Sequence, residues 1–267
     1  MTLKTGFATA LVAAVVAALV TAAAIVVIWR MAPGVVDAPS AGLDEKKIVD
    51  IVHNYLTKNP EILVEMTGEL DKRQQAEQAA QQEKVISDNA EAIFRSPLDY
   101  AGGNPNGDVS VVEFFDYNCG FCRRALPDLV KLMDNDDKVR VVFKELPIFG
   151  DESEGAARGA LAAGKQGKYF EMHQKLFEEP GKADKDKAVR IASELGLDVP
   201  QFEKDMEDPS VQKALDEAKE LAQKLGLQGT PLYLIGDRIV PGAPDDLYDQ
   251  LTVKVAEVRE KGCKATC

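Results

Sequence analysis

The sequence predicts an α/β domain with a mixed β-sheet and a long helical insertion. An apolar strand at 109–115, a helix at 121–133 and a strand at 139–144 follow one another, which is the order of a β-α-β unit. Such a unit has a right-handed crossover and leaves its two strands parallel. Helical periodicity then runs over 152–225, and we interpret this stretch as an insertion.

Two short strands and a helix complete the predicted domain. The strands, at 232–235 and 239–240, are joined by Gly236-Asp237-Arg238, and the last helix covers 245–261. Pro127 within the first helix predicts a kink, because proline cannot donate its hydrogen bond to the preceding turn. Residues 109–262 are enough to bury one core.

An apolar run of 23 uncharged residues, 7–29, lies between Lys4 and Arg30. As a helix it would measure roughly 34 Å, which is enough to cross a hydrocarbon core of about 30 Å. A cleaved signal peptide has a shorter apolar region of about 7 to 15 residues. We therefore expect residues 1–30 to be a membrane anchor, with a signal sequence cleaved near Ala22-Ala23-Ala24 as the alternative.

A linker rich in Pro, Gly and Ala is predicted at 31–42, followed by a helical segment at 43–95. Asp44 is a suitable N-cap, Pro60 interrupts the pattern, and an apolar stripe lies on each side of the break. The stripe residues are Ile48, Ile51, Val52, Tyr55 and Leu56 before it and Ile62, Leu63, Met66 and Leu70 after it. These stripes need a partner, which is either the main domain or a second copy. The second interpretation predicts a homo-oligomer formed through 43–70.

The chain has a formal net charge of −12, with 44 acidic and 32 basic residues. An acidic surface repels phosphate groups, so nucleic acid and anionic lipid headgroups are disfavoured as partners. Glycine and proline are concentrated at 96–108, which predicts a second linker between the helical segment and the main domain.

Cys119 and Cys122 are separated by two residues where strand 109–115 gives way to a helix. At a helix N-terminus, unpaired N–H groups and the helix dipole favour thiolate over thiol. A thiolate attacks in disulfide exchange, and a neighbouring thiol resolves the mixed disulfide. The spacing therefore predicts a redox-active pair, with Cys119 as nucleophile and Cys122 as resolving thiol, and we expect no metal and no cofactor.

Half of a zinc site is the alternative interpretation of this spacing. A closed zinc site has four ligands, and the other cysteines and histidines are His53, His173, Cys263 and Cys267. His173 lies on an apolar helical stripe and is expected in the core, and His53 is expected on a surface or interface. A site of four thiolates that includes Cys263 and Cys267 stays open.

These motifs resemble those of DsbA-type disulfide oxidoreductases, which have a thioredoxin fold with a helical insertion. The resemblance covers 109–260 and rests on four segments, VVEFFDYNC at 111–119, VVFKELP at 141–147, KYFEMHQKLF at 168–177 and GTP at 229–231. The helices before the domain are similar to those of the ScsC-like subgroup, whose members can trimerise through that segment and act as isomerases.

The resemblance implies roles for four further residues. Pro231 is expected in the cis form beside the cysteines, with the backbone of Thr230 exposed to an extended substrate; an ordinary trans proline is the alternative. Glu113 is expected to be buried, with a raised pKa, and to shuttle a proton for the resolving cysteine. Lys144 on the adjacent strand is its expected partner, and a purely structural ion pair is the alternative.

Cys263 and Cys267, at the end of the chain, depart from the family pattern. We expect a structural disulfide between them, although so short a loop gives little entropic stabilisation. A reactive pair that exchanges electrons with Cys119 is the alternative.

Gly120-Phe121 between the cysteines supplies no cation or polar side chain, unlike the Pro-His pair of strongly oxidising DsbA, so we expect a milder couple. Together with Thr230 and the oligomerisation segment, this predicts an isomerase or reductase acting on proteins with cysteines. We expect it on the periplasmic side of the cytoplasmic membrane, or in the periplasm if 1–30 is cleaved. The alternatives are a dithiol oxidase recycled by a membrane redox partner and a membrane-tethered peptide-binding module without turnover.

Overall fold

The computed structural model describes residues 44–263. The expected anchor at 1–30, the linker at 31–42 and Cys267 lie outside this range. No helix within 44–263 is long and apolar enough to cross a membrane. The chain divides into two compact units at Asp71 and Lys72.

The first unit contains helix α1, Glu45–Lys58, and the beginning of helix α2, Glu61–Asp88. Asp44 caps α1 by accepting a hydrogen bond from the Lys46 amide at 3.2 Å, as the sequence predicts. Most large apolar side chains in the described part of this unit are exposed, namely Ile48, Val49, Ile51, Val52, Tyr55, Leu63, Val64, Met66 and Leu70. An exposed apolar set of this size is typical of an interaction surface.

The second unit is built on a mixed sheet of five strands. They are β1 Tyr100–Gly103, β2 Val109–Phe115, β3 Val139–Glu145, β4 Leu232–Ile235 and β5 Arg238–Pro241. Their order in the sheet is β1-β3-β2-β4-β5. β2 and β3 are parallel and the other neighbours are antiparallel, as a β-α-β unit followed by a hairpin predicts.

Both faces of this sheet are covered, which explains why every residue of β2 is buried. The helices that flank the sheet outside the insertion are α3 Ala90–Phe94, α4 Gly120–Asn135 and α10 Leu247–Lys261. Val111 and Phe115 of β2 face one side, with α4, the insertion and α10. Val112 and Phe114 face the other side, with the end of α2, with α3 and with the last helix of the insertion.

The helical stretch predicted at 152–225 is divided into five helices. They are α5 Asp151–Lys165, α6 Tyr169–Glu178, α7 Lys185–Glu194, α8 Val199–Met206 and α9 Pro209–Leu225. Asp184, Asp198 and Asp208 each cap the N-terminus of one of them by accepting a backbone hydrogen bond. These caps allow the chain to turn repeatedly within the insertion.

The expected linker at 96–108 contains an edge strand that the sequence does not reveal. Tyr100–Gly103 forms β1 and pairs with β3. Glycine weakens the strand signal, but here it permits close packing, because a Cβ on Gly102 would lie 3.2 Å from both the Met133 sulfur and the Phe143 ring.

The end of the helical segment 43–95 also belongs to the core of the second unit. Ile86, Ile93 and Phe94 are fully buried and pack with Val112 and Phe114. Polar residues dominate the composition of this segment. Three buried apolar side chains are too few to change that composition, so the sequence did not predict that they anchor the segment. A boundary at 108 would therefore remove part of the core.

Replacing Gly159 with alanine tests the close packing of α5 on α7. The added methyl group would overlap the Cβ of Ala188, so we expect the free energy of unfolding to fall by about 1–3 kcal/mol. Gly164→Ala in the same helix is the control, because its nearest new contact is at 3.4 Å. Urea denaturation measures both variants, and equal stabilities would contradict this packing.

Candidate active site

Cys119 occupies the N-cap position of α4, directly after the loop that leaves β2. Its sulfur accepts a hydrogen bond from the Cys122 amide at 3.4 Å. Hydrogen bonding from the Cys122 side chain lowers the pKa of Cys119 to about 5, and Thr230 and the amides of Cys122 and Phe121 contribute in the same direction against the effect of burial. Cys119 is therefore a thiolate at neutral pH.

Cys122 lies one turn further along α4 and is fully buried. Burial raises its pKa above the ordinary value, and the hydrogen bond to Cys119 and the charge of Glu113 act in the same direction. Both cysteines are free thiols in the structure. The pair thus combines one ionised sulfur with one that keeps its proton.

The loop that contains Pro231 lies against Cys119. The Thr230–Pro231 peptide bond is cis, in agreement with the expectation. The Cys119 sulfur is 3.2 Å from the carbonyl oxygen of Thr230, and the Phe121 side chain next to the cysteines is exposed. A substrate sulfur that reaches Cys119 must therefore bring its own backbone close to this loop.

Glu113 is buried on the face of the sheet that carries Val111 and Phe115. Its carboxyl accepts a hydrogen bond from the Tyr233 hydroxyl at 2.8 Å. Burial raises the pKa of Glu113 to about 8, with a further contribution from the charge of Cys119, while the Tyr233 hydrogen bond opposes the shift. Most Glu113 side chains are therefore neutral at pH 7.

The expected pairing of Glu113 with Lys144 is wrong. The strand register places Lys144 opposite Phe114 and Glu113 opposite Phe143, so the two charged side chains point to opposite faces. Lys144 instead contacts the Asp99 carboxylate at 2.5 Å and that of Glu217 at 3.1 Å. These contacts join β3 to the segment before β1 and to α9.

A second group of buried polar residues, which the sequence does not reveal, holds the loop before Cys119. Glu145 accepts hydrogen bonds from the hydroxyls of Tyr117 at 2.9 Å and Tyr169 at 2.7 Å. Tyr117 also lies 3.0 Å from Nδ1 of His173. Burial raises the pKa of Glu145 well above its usual range and lowers that of His173 to about 3. His173 is thus a neutral core residue, as the sequence predicts.

Asp116 and Asn118 fix the same loop to the insertion. Asp116 accepts hydrogen bonds from the amides of Ile148 and Phe149 at 2.7 and 3.1 Å and from the Ser153 hydroxyl at 2.8 Å. Asn118 exchanges hydrogen bonds with the backbone of Ala183, both at 2.9 Å. In the sequence, the acidic residue and the amide on either side of Tyr117 were the features that could have indicated these contacts.

Cys263 is disulfide-bonded, and Cys267, its expected partner, lies outside the described residues. Cys263 packs on the hairpin between β4 and β5. A Cβ added to Gly236 of this hairpin would lie 2.7 Å from the Cβ of Cys263. Within 44–263, no group of three or more His, Cys, Asp or Glu side chains is arranged to hold a metal ion.

The fold and the cysteine pair place this chain in the thioredoxin-like class of proteins. Residues 110–252 match the DSBA-like thioredoxin domain and residues 44–77 match the Copper resistance protein ScsC N-terminal domain. The first match covers more than half of the chain, which therefore belongs to the DsbA family, and the second places it with its ScsC-like members.

Solved structures support this assignment. A thioredoxin-like oxidoreductase from Silicibacter pomeroyi is 46% identical, with a TM-score of 0.62 over 64% of this chain and 98% of that one. Proteus mirabilis ScsC in a transitional conformation is 30% identical, with a TM-score of 0.61 over 82% of this chain and 99% of that one.

Sequence relatives include proteins of two kinds. A probable disulfide bond formation protein D from Bacillus cereus is 29% identical over 168 residues, which is 58% of this chain and 78% of that protein. The Na(+)/H(+) antiporter NhaA 1 of Salinispora arenicola is 29% identical over 142 residues, 52% of this chain. The chain spans only 22–26% of the length of such antiporters.

Of Cys119 and Cys122, only Cys119 is expected to react with iodoacetamide in the reduced protein. Because the pKa of Cys119 is lowered to about 5, the thiolate is present above this pH and lost below it, so the alkylation rate should rise through pH 5 and then level off. The rate against pH, with mass spectrometry to locate the label, measures this. Cys119→Ala is the control, and a midpoint near the ordinary value of about 8.5 would contradict the geometry.

Lys144→Met is expected to lower the free energy of unfolding by about 3 kcal/mol, because buried Asp99 loses its cation. The pH dependence of disulfide exchange should stay unchanged, since Lys144 lies on the other face of the sheet. Denaturation and exchange rates measure the two effects.

Glu113→Gln is the matched comparison for this test and should alter the pH dependence of the resolving step. The combination of Lys144→Met with Asp99→Asn should recover part of the lost stability. If Lys144→Met alone changed the pH dependence of disulfide exchange, Lys144 would have a role in catalysis, contrary to this prediction.

Proposed function

We propose that this chain is an extracytoplasmic enzyme that isomerises or reduces disulfides in proteins. The observation that carries the proposal is the contrast between the two thiols of α4. The pKa of Cys119 is lowered to about 5, whereas that of buried Cys122 is raised. Cys119 acts as the nucleophile and Cys122 as the resolving thiol.

In the first step, the Cys119 thiolate attacks one sulfur of a substrate disulfide. A bond forms between Cys119 and that sulfur, and the other substrate sulfur leaves as a thiolate. If a substrate thiolate then attacks the substrate sulfur of this mixed disulfide, a new substrate disulfide forms and Cys119 leaves as a thiolate. This route is isomerisation, and no electrons are exchanged overall.

In the alternative route, Cys122 loses its proton and attacks the sulfur of Cys119. The substrate leaves with both thiols reduced, and the chain keeps the Cys119–Cys122 disulfide. An external dithiol must then return two electrons to the chain. We propose that a membrane redox partner supplies them.

The structure supports isomerisation more than net reduction. A thiol of raised pKa attacks slowly, because it must first lose its proton. A sulfur of low pKa is a good leaving group, so substrate thiolates displace Cys119 readily.

Glu113 is the proposed proton acceptor for Cys122. Because the pKa of Glu113 is about 8, the resolving step should accelerate as the pH rises towards that value.

Self-association is proposed through 43–70, because most large apolar side chains in the described part of this segment are exposed and residues 44–77 match the ScsC N-terminal domain. Several active sites around one substrate raise the effective concentration of the thiolate that carries out the second exchange. The anchor at 1–30 would hold the assembly at the periplasmic side of the membrane. One structural relative is itself described as a periplasmic thioredoxin-like protein.

A dithiol oxidase is the second candidate. The low pKa of Cys119 stabilises the reduced form of the chain as well, which makes its disulfide more oxidising. In that case a membrane partner would remove electrons instead of supplying them. A binding module without turnover has less support, because both thiols are free and one is ionised at neutral pH.

Val52→Lys in the full chain tests the isomerase proposal. A charge in the apolar stripe of α1 should dissociate the oligomer to single chains in sedimentation and lower the recovery of scrambled ribonuclease by about fivefold or more. The control is Val253→Lys on α10, because the two valines are similarly exposed, at 50% and 54%.

Three results would contradict the proposal in different ways. Equal recovery by both lysine variants would show that the stripe does not matter. Rapid oxidation of reduced ribonuclease, without recovery of the scrambled form, would identify an oxidase. An unchanged result with Cys119→Ala would identify a binding module.

A further inference from the structure

The groove beside the cysteines extends to helix α2. A cavity of about 850 Å³ begins at Phe121, Thr230 and Pro231 and reaches Gln82. Its floor is apolar and includes Leu227, Leu232 and Ile239. In a chain with 28% charged residues, the described part of this cavity wall contains no charged side chain.

A second cavity of about 570 Å³ continues the first, because the two share Gln82, Leu225, Gly226 and Gln228. Its wall is rich in side-chain amides, with glutamines from α2, α9 and the loop after α9. They are Gln78, Gln81, Gln82, Gln223 and Gln228. The one charged side chain among the described lining residues, Lys224, forms an ion pair with Glu220 at 2.7 Å.

We propose that this surface, the amide-lined extension of the groove, holds the part of a substrate polypeptide that lies beyond the reacting cysteine. The substrate sulfur must reach Cys119, which is 3.2 Å from the Thr230 carbonyl oxygen. The chain attached to that sulfur therefore enters the first cavity, and an extended chain that continues reaches Gln82. The inference rests on the proposed function.

The chemistry of the wall indicates what kind of segment binds there. A glutamine amide both donates and accepts hydrogen bonds, so it can pair with the backbone of any extended chain. The first cavity has no charged side chain among its described lining residues, and Lys224 of the second is paired with Glu220, so neither acidic nor basic substrate side chains face an unpaired charge of the same sign. The occupant is thus an extended, unfolded polypeptide segment of variable sequence, as misfolded proteins present.

Two disulfide-linked peptides of opposite charge provide the test. They are identical except for two lysines in one and two aspartates in the other, placed beyond the cysteine on each side. In the full chain, Gln82→Glu should lower the KM for the basic peptide and raise it for the acidic one. We expect their ratio to change by about fivefold relative to the wild-type chain, which is the effect of charge pairs near a surface.

The matched control is Gln74→Glu, an identical charge change at an exposed position of the same helix, outside both cavities. Its KM ratio should equal that of the wild-type chain. The rate with oxidised glutathione should be the same in Gln74→Glu and the wild-type chain. Measured in Gln82→Glu as well, this rate separates damage to the cysteine pair from a change in peptide binding.

The results separate this inference from the proposed function. An unchanged KM ratio in Gln82→Glu, with normal peptide turnover, overturns the extension of the groove and leaves the enzyme. An equal change in Gln74→Glu also overturns it, because the effect would be a general one of net charge. Absence of peptide turnover in the wild-type chain overturns both.

Discussion

The chemistry of this protein depends on one placement, that of the Cys119 sulfur at the N-cap of α4. This position is commonly taken by an oxygen that accepts hydrogen bonds from the first amides of a helix. A sulfur there receives the same hydrogen bonds and is stabilised as a thiolate. Cys122 follows one turn later inside the helix, where burial has the opposite effect on its pKa. The start of one helix thus positions both members of the proposed redox pair.

The helical insertion holds the loop that makes this placement possible. Asp116, Tyr117 and Asn118 each form a hydrogen bond with a residue beyond β3, and these partners include the insertion residues Ser153, His173 and Ala183. Buried polar groups are costly unless they are paired, so the paired arrangement is strongly preferred over any shifted one. The insertion therefore has a structural function at the active site in addition to covering the sheet.

Local patterns predicted the strands at 109–115 and 232–235 and the cysteine pair. They failed for Lys144, because alternation shows which residues of one strand share a face but does not give the register of its neighbour. The partner of Glu113 is Tyr233, 120 positions away in the chain, and no spacing rule indicates such a contact. The burial of Ile86 and Phe94 was hidden for a related reason, since a few anchoring side chains in a polar helix leave no periodic signal.

Gly120-Phe121 suggested a mild redox couple, because neither side chain can stabilise a thiolate. The structure shows that the stabilisation comes from Cys122, Thr230 and backbone amides instead. A low Cys119 pKa by itself serves an oxidase and an isomerase equally well, since it aids both attack and departure. What distinguishes them is the thiol that attacks the mixed disulfide next. With Cys122 protonated and Glu113 mostly neutral at pH 7, the substrate's own thiolates have the advantage in attacking the mixed disulfide, which supports the proposed isomerisation.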